Sequence, residues 1–210
     1  YSSSKERVAG LVVTLSETYP EQEFFSVHGD FTAANGAEQV AKQLFGLQAI
    51  IFANGQALYE LLDDTTTEQM NALWQVHVAT PMQLCKILAP KLRQHNKSYV
   101  LFISSIWGEA GASGEVVYSA VKGAQNSFVK AYAKEAAYNG IRVNAIAPGI
   151  IDTAMNEHLA QDEIDQIIDE IPLQRFGQTQ EVAYLAAFAL SGKADYVTGQ
   201  ILRLNGGWHI

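Results

Sequence analysis

Tyr118 and Lys122 stand four residues apart in Tyr118-Ser119-Ala120-Val121-Lys122. On a helix, side chains at that separation share a face. An ammonium beside a phenol favours the phenolate and lowers its pKa. A tyrosine tuned in this way gives a proton to a carbonyl oxygen, or takes one from an alcohol, nearer neutral pH. Alone the pattern is weak, since Tyr1 and Lys5 repeat it and no catalysis is assigned there. Ser105 changes the weight. It closes the apolar run 99–105, thirteen residues before Tyr118, and the stretch between them carries Gly108, Ala110, Gly111, Ala112 and Gly114. Such a loop can fold back over a cleft. A serine at a strand end is by itself more often a cap or turn former. Followed by this loop and a Tyr-x-x-x-Lys helix, it is much more specific.

These residues need elements to hold them. Short apolar runs at 24–30, 47–55, 99–105, 142–149 and 200–207 lack clean polar alternation, which is how strands buried on both faces read. Helical periods fall between them at 67–91, 117–137 and 180–190. Thr66 or Thr67 can cap the first, with Glu68 in its opening turn. Pro81 lies inside it and should kink it. Asn139-Gly140 ends the second with a left-handed stop. Strands alternating with helices predict an α/β fold, a parallel sheet with helices on both faces. In such folds ligands bind at the carboxyl ends of the strands, which points to Asp30, Asn54-Gly55, Ser104-Ser105 and Pro148-Gly149.

Bulk properties narrow the class. The 210 residues suit one domain, and 48% of them are apolar. A net charge of −8 argues against a broad nucleic-acid surface. Cys85 is the single cysteine, so no internal disulfide forms. Among apolar neighbours it reads as a small core residue rather than a nucleophile. No apolar run is long enough for a membrane span, and no signal peptide is visible at the start. Asn96-Lys97-Ser98 fits a glycosylation sequon but is read as chance. A cytoplasmic location follows as the expectation.

In order and spacing, Ile103-Ser104-Ser105, Tyr118-x-x-x-Lys122, Arg142-Val143-Asn144-Ala145-Ile146-Ala147-Pro148-Gly149 and Thr198-Gly199-Gln200 with Asn205-Gly206-Gly207 resemble the short-chain dehydrogenase/reductase family over nearly the whole chain. The resemblance implies a Rossmann-like, doubly wound, three-layer α/β/α domain that passes a hydride between a nicotinamide and a carbonyl or alcohol. Tyr118 would be the general acid/base. Lys122 would lower its pKa and bond the nicotinamide ribose, and Ser105 would bond the substrate oxygen. Pro148, Gly149, Ile151 and Thr153 would line the nicotinamide, Asp30 with Phe31 the adenine edge, and Asn54 and Gly55 the adenine ribose. His77 stands where the family places an asparagine, whose backbone carbonyl serves a catalytic tetrad through a water and the lysine. A proton-relay role and a packed histidine are equally weighted there, and no metal site is expected.

Two further expectations concern the start of the chain and the ligands. Residues 1–210 contain no counterpart of the family's Gly-rich phosphate loop, first strand or first helix. Gly108-x-x-Gly111-x-x-Gly114 has the wrong place and spacing to replace them. Residues 1–5 resemble the exit of the family's second strand, so about 30 residues, roughly one βαβ turn, are expected upstream. That exit offers Ser2, Ser3 and Lys5 with no acid before Glu6, which favours NADP(H) over NAD(H), since an acid there would bond the ribose hydroxyl and repel a phosphate. The closest family look is to 3-oxoacyl-[acyl-carrier-protein] reductases, with Lys91, Arg93 and Lys97 as a docking patch or a solvated face. Residues 111–125 resemble instead the reductases of 5-aminopentanone-modified elongation factor P, for which Glu109 and Glu115 would suit an amine. A non-catalytic cofactor-binding sensor or scaffold is the third reading. The acidic segment 154–177 resembles the family's lid, and a homotetramer or dimer is the family's habit.

Overall fold

The computed structural model describes residues 1–2, 4–157 and 159–209. Four parallel strands form one sheet in the order β1 (Ala49–Phe52), β2 (Ser98–Ile103), β3 (Ile141–Pro148), β4 (Ile201–Leu204). Register runs Ile50 to Val100, Val100 to Val143 and Ile146 to Leu202. Helices flank the sheet: α1 (Lys5–Thr18), α2 (Gly36–Ala41), α3 (Thr67–Trp74), α4 (Thr80–Leu92), α5 (Trp107–Ala110), α6 (Val116–Ala136), α7 (Gln161–Glu170) and α8 (Thr179–Leu190). This is the α/β fold the alternation predicts and the single-domain Rossmann-like architecture the resemblance implies.

The core explains why the apolar runs carry no polar alternation. Phe52, Val100, Phe102, Val143 and Ala145 meet Leu84, Leu88 and Leu92 of α4 and Val129 and Ala133 of α6 on one face. Leu101 and Ile146 meet Ala186 and Ala189 of α8 on the other. Strands covered on both sides must be apolar on both sides.

Two elements differ from the expectation. The run 24–30 forms no strand. A parallel strand needs a neighbour's ladder, and here the Gly29 N–H finds only the Tyr1 carbonyl, at 2.9 Å. Secondly, the expected helix 67–91 is interrupted rather than simply kinked. Thr66 caps α3 in a reciprocal box with Gln69, but residues Gln75–Ala79 form a π-helical turn before α4 begins. Pro81 lies in the first turn of α4. It has no N–H to give to residue 77, four positions back, so the regular ladder cannot run through.

Candidate active site

β2 and β3 lie side by side and deliver Ser105 and Pro148-Gly149 to the same end of the sheet, where the Ile106 N–H donates to the Pro148 carbonyl at 3.0 Å. The chain then turns through α5 onto α6. A Cβ at Gly108 would fall 2.7 Å from the Lys122 carbonyl carbon, so only glycine lets this loop lie against the helix that bears Tyr118 and Lys122. The Ala112 N–H donates to Ser119 Oγ at 3.1 Å, which fixes the far side of the loop. Ser104 donates to Asn126 Oδ1 at 2.7 Å and ties the strand end to the same helix.

Ser105, Tyr118 and Lys122 therefore converge, and all three are buried. The Ser105 hydroxyl stands close enough to Tyr118 to lower its pKa. Lys122 Nζ lies 5.5 Å from the Tyr118 ring centre and donates to the Ile103 carbonyl at 2.9 Å. The electrostatics correct one expectation. Burial, then the Glu115 carboxylate, push the Tyr118 phenol up, against a smaller downward pull from Ser105. Burial pushes Lys122 down to about 7. Desolvation penalises both charged forms, so it outweighs the mutual help expected of a phenolate and an ammonium.

A cavity of about 480 Å³ opens over the three residues. Asn54, Gly55, Pro148, Gly149, Ile151 and Thr153 line one part of it, as the resemblance implies. Tyr59, Trp107, Glu115 and Trp208 line it as well. Met155, Asn156, Leu159 and Ile167 cover it from the segment read as a lid. The lining fits a nicotinamide: residues 53–55 and 148–151 border the cavity together with Lys122, which gives one N–H to the strand carbonyl and keeps two. Asn156 and Thr153 both donate to the Ile151 carbonyl, at 2.7 and 3.3 Å, which holds that wall in place.

Other predicted residues fall elsewhere. Asp30, Phe31 and Ser2 do not line the cavity, and Ser3 lies outside the described residues. The Asp30 carboxylate accepts from the Thr32 N–H and hydroxyl at 2.9 and 2.7 Å, which lowers its pKa. The Phe31 carbonyl accepts from Thr80. Glu109 does not line the cavity either; it forms a two-pronged pair with Arg203 at 2.9 and 3.2 Å, a partner 94 residues away in sequence that takes up its charge. Two members of the basic patch have partners within the chain, although Arg93 and Lys97 stay exposed. Lys91 donates to the Ala41 and Leu44 carbonyls, and Lys97 pairs with Asp195. His77 is wholly buried. Its ring bonds Gln56, not Tyr118 or Lys122, and its backbone carbonyl already accepts from Gln125 Nε2 at 2.6 Å. Sequence reasoning missed Tyr59, Trp107, Asn156 and Trp208. Trp107, two residues past Ser105, was within reach of inspection, and Asn156 lies in the segment read as a lid; no local signal marks Tyr59 or Trp208.

Comparison with known proteins agrees with this geometry. A family model described as enoyl-(acyl carrier protein) reductase matches residues 3–209. The chain is 41% identical over 210 residues to the uncharacterized oxidoreductase YmfI of Bacillus subtilis, covering 100% of this chain and 86% of that protein. It is 36% identical over 173 residues to the human 3-oxoacyl-[acyl-carrier-protein] reductase, covering 82% and 71%. A short-chain dehydrogenase/reductase from Brucella melitensis, described as a glucose/ribitol dehydrogenase, superposes with a TM-score of 0.88 at 26% identity, over 99% of this chain and 84% of that one. The fold and site define an oxidoreductase that uses a nicotinamide cofactor. The chain belongs to the short-chain dehydrogenase/reductase family.

Proposed function

We propose that this protein is an NADPH-dependent carbonyl reductase, and that the convergence of Ser105, Tyr118 and Lys122 at one end of the cavity is the observation that carries the reading. A bound reduced nicotinamide supplies the hydride to the carbonyl carbon. Tyr118 supplies the proton from its Oη to the carbonyl oxygen, and Ser105 donates a hydrogen bond to the same oxygen. The upward push on the phenol keeps that proton in place at neutral pH. Lys122 keeps two donors for ribose hydroxyls. Ser2 and Lys5, with no acid before Glu6, support NADP(H) over NAD(H). A cytoplasmic enzyme assembled as a dimer or tetramer fits the exposed Met82 and Ile87 of α4 and Tyr184 and Phe188 of α8.

For the substrate, the relatives support a 3-oxoacyl thioester carried on acyl carrier protein. A second reading, reduction of 5-aminopentanone-modified elongation factor P, is favoured by one observation: Glu115 lines the cavity beside Tyr59 and Tyr118. A substrate ammonium placed there would cancel the carboxylate's repulsion on the phenol. The intramolecular bonds of Lys91 and Lys97 also leave less basic surface for an acidic carrier.

The test is NADPH oxidation by the full-length protein with a 3-oxoacyl thioester and, in parallel, with the modified factor. Turnover that falls at least ~100-fold in Tyr118→Phe establishes the mechanism. Which substrate turns over chooses between the readings. NADPH binding with no reduction of either substrate, or of simple ketones, rejects the enzyme in favour of a cofactor-binding scaffold.

A further inference from the structure

The interrupted helix holds something the reaction as described does not use. In the π-helical turn, the Thr80 N–H donates to the Gln75 carbonyl, five residues back, so it bypasses Val76. Pro81 has no N–H to offer His77. Two carbonyls in the interior are thereby released from the helix, and each meets a side chain. Asn54 Nδ2 donates to the Val76 carbonyl at 2.8 Å, and Gln125 Nε2 donates to the His77 carbonyl at 2.6 Å. Asn54 belongs to the wall of the cavity, and Gln125 to the helix that carries Tyr118 and Lys122.

The His77 ring makes the same two connections. Its Nε2 lies 3.1 Å from the Gln56 N–H nitrogen and 3.0 Å from the Gln56 carbonyl oxygen. Whichever tautomer the ring adopts, that nitrogen has a partner: it accepts from the amide or donates to the carbonyl. A Cβ on Gly55 would come within 3.0 Å of Cε1, so the ring touches the backbone of the cofactor wall. On its other side the ring stands edge-on to Tyr118, 5.7 Å between centres at 89°.

We propose that His77 is a positioning residue of the carbonyl-reductase site, one side chain that sets the Gly55–Gln56 wall and the Tyr118 ring relative to each other. The inference rests on the function proposed above. Two observations separate it from simple packing and from proton relay. Among the described residues, Nδ1 is buried with no hydrogen-bond partner; a space-filling role would favour an apolar ring without that cost. Nε2 reaches only the Gln56 backbone, which has no onward acid or base, so a proton entering the ring has no exit there. Burial, and then the charge of Lys122, hold the imidazole neutral down to about pH 4.

The experiment compares wild type, His77→Gln and His77→Phe in the full-length protein. NADPH affinity is read by nucleotide fluorescence, kinetics by carbonyl reduction across pH 5 to 9, and folding by thermal melting. The Phe variant loses the Gln56 bond and should weaken NADPH about five- to tenfold, the loss of one hydrogen bond, and lower kcat. The Gln variant can place its amide against Gln56 and should restore most of the affinity. The pH profile of kcat should keep its shape in both. A shifted pH limb in the Gln variant would make His77 an acid or base and overturn the proposal. So would a folded Phe variant with wild-type affinity and kcat, or a Gln variant that rescues nothing. Should wild type bind no NADPH and reduce no carbonyl, the enzyme reading itself fails and this inference falls with it; wild-type turnover with indifferent variants sinks the inference alone.

Discussion

Strand β3 buries seven of its eight residues, whereas α1 buries none of its fourteen. The first stands in the middle of a ladder, with helices against both faces. The second lies where the segment expected upstream of Tyr1 would pack, so its exposure is that of residues 1–210 alone. The two regions also divide the site. The catalytic end hangs on buried side chains with assigned partners on β2, β3 and α6. The end expected to meet adenine is a half-buried turn, where the Asp30 carboxylate accepts from Thr32 two residues on. Chemistry that needs fixed geometry is found where burial supplies it.

The sharpest way to test this contrast is to remove a core ring. Phe102 packs 4.6 Å from Phe52 and 5.7 Å from Phe128, ring centre to ring centre. Phe102→Ala should cost about 3–5 kcal/mol in denaturant titration. A loss near zero would mean that the sheet does not anchor the site.

Next in size is a pH effect. His77 is held near 4 in the fold, against an ordinary value near 6.5. Between those values the unfolded chain binds the extra proton, so stability is highest above pH 6.5 and falls as pH drops toward 4. The loss is at most roughly 3 kcal/mol. His77→Gln should flatten the difference in urea midpoint between pH 7 and pH 5. An unchanged slope would show that another group carries it.

Smaller effects are expected at the other region. Asp30→Ala should raise the KM for NADPH several-fold, about 1 kcal/mol, and leave kcat as it is. A fall in kcat would make the adenine end part of the catalytic geometry.

How much of this was legible in the sequence follows the same division. Tyr118, Lys122 and Ser105 are carried on elements whose apolar runs and periods are local signals, and the structure brings them together. The run 24–30 has the composition of a strand, but pairing depends on a neighbour that composition does not encode. Glu109 looked available because Arg203, which neutralises it, is distant in sequence. Pro81 announced a disturbance without saying which kind. Whether a helix kinks or widens depends on what meets its released carbonyls, and Gln125 and Asn54 lie on other elements. Trp208 reaches the cavity from the chain's end, where it stands 5.2 Å from Trp107 and donates to Glu170 of α7 at 3.1 Å.

The widened turn at 75–79 has a consequence for phase. Each residue of a helix advances its neighbours by about 100°, so the residue count of that turn sets which way everything after it points. Thr80, Leu84, Cys85, Leu88 and Leu92 now face inward. Deleting a single residue within the turn would swing that stripe by about 100° and bring Met82, Lys86 and Arg93 to the places that Pro81, Cys85 and Leu92 now fill. The turn acts as a vernier between two rigid rods, and a change of its length would reset the facing of every residue that follows in the helix.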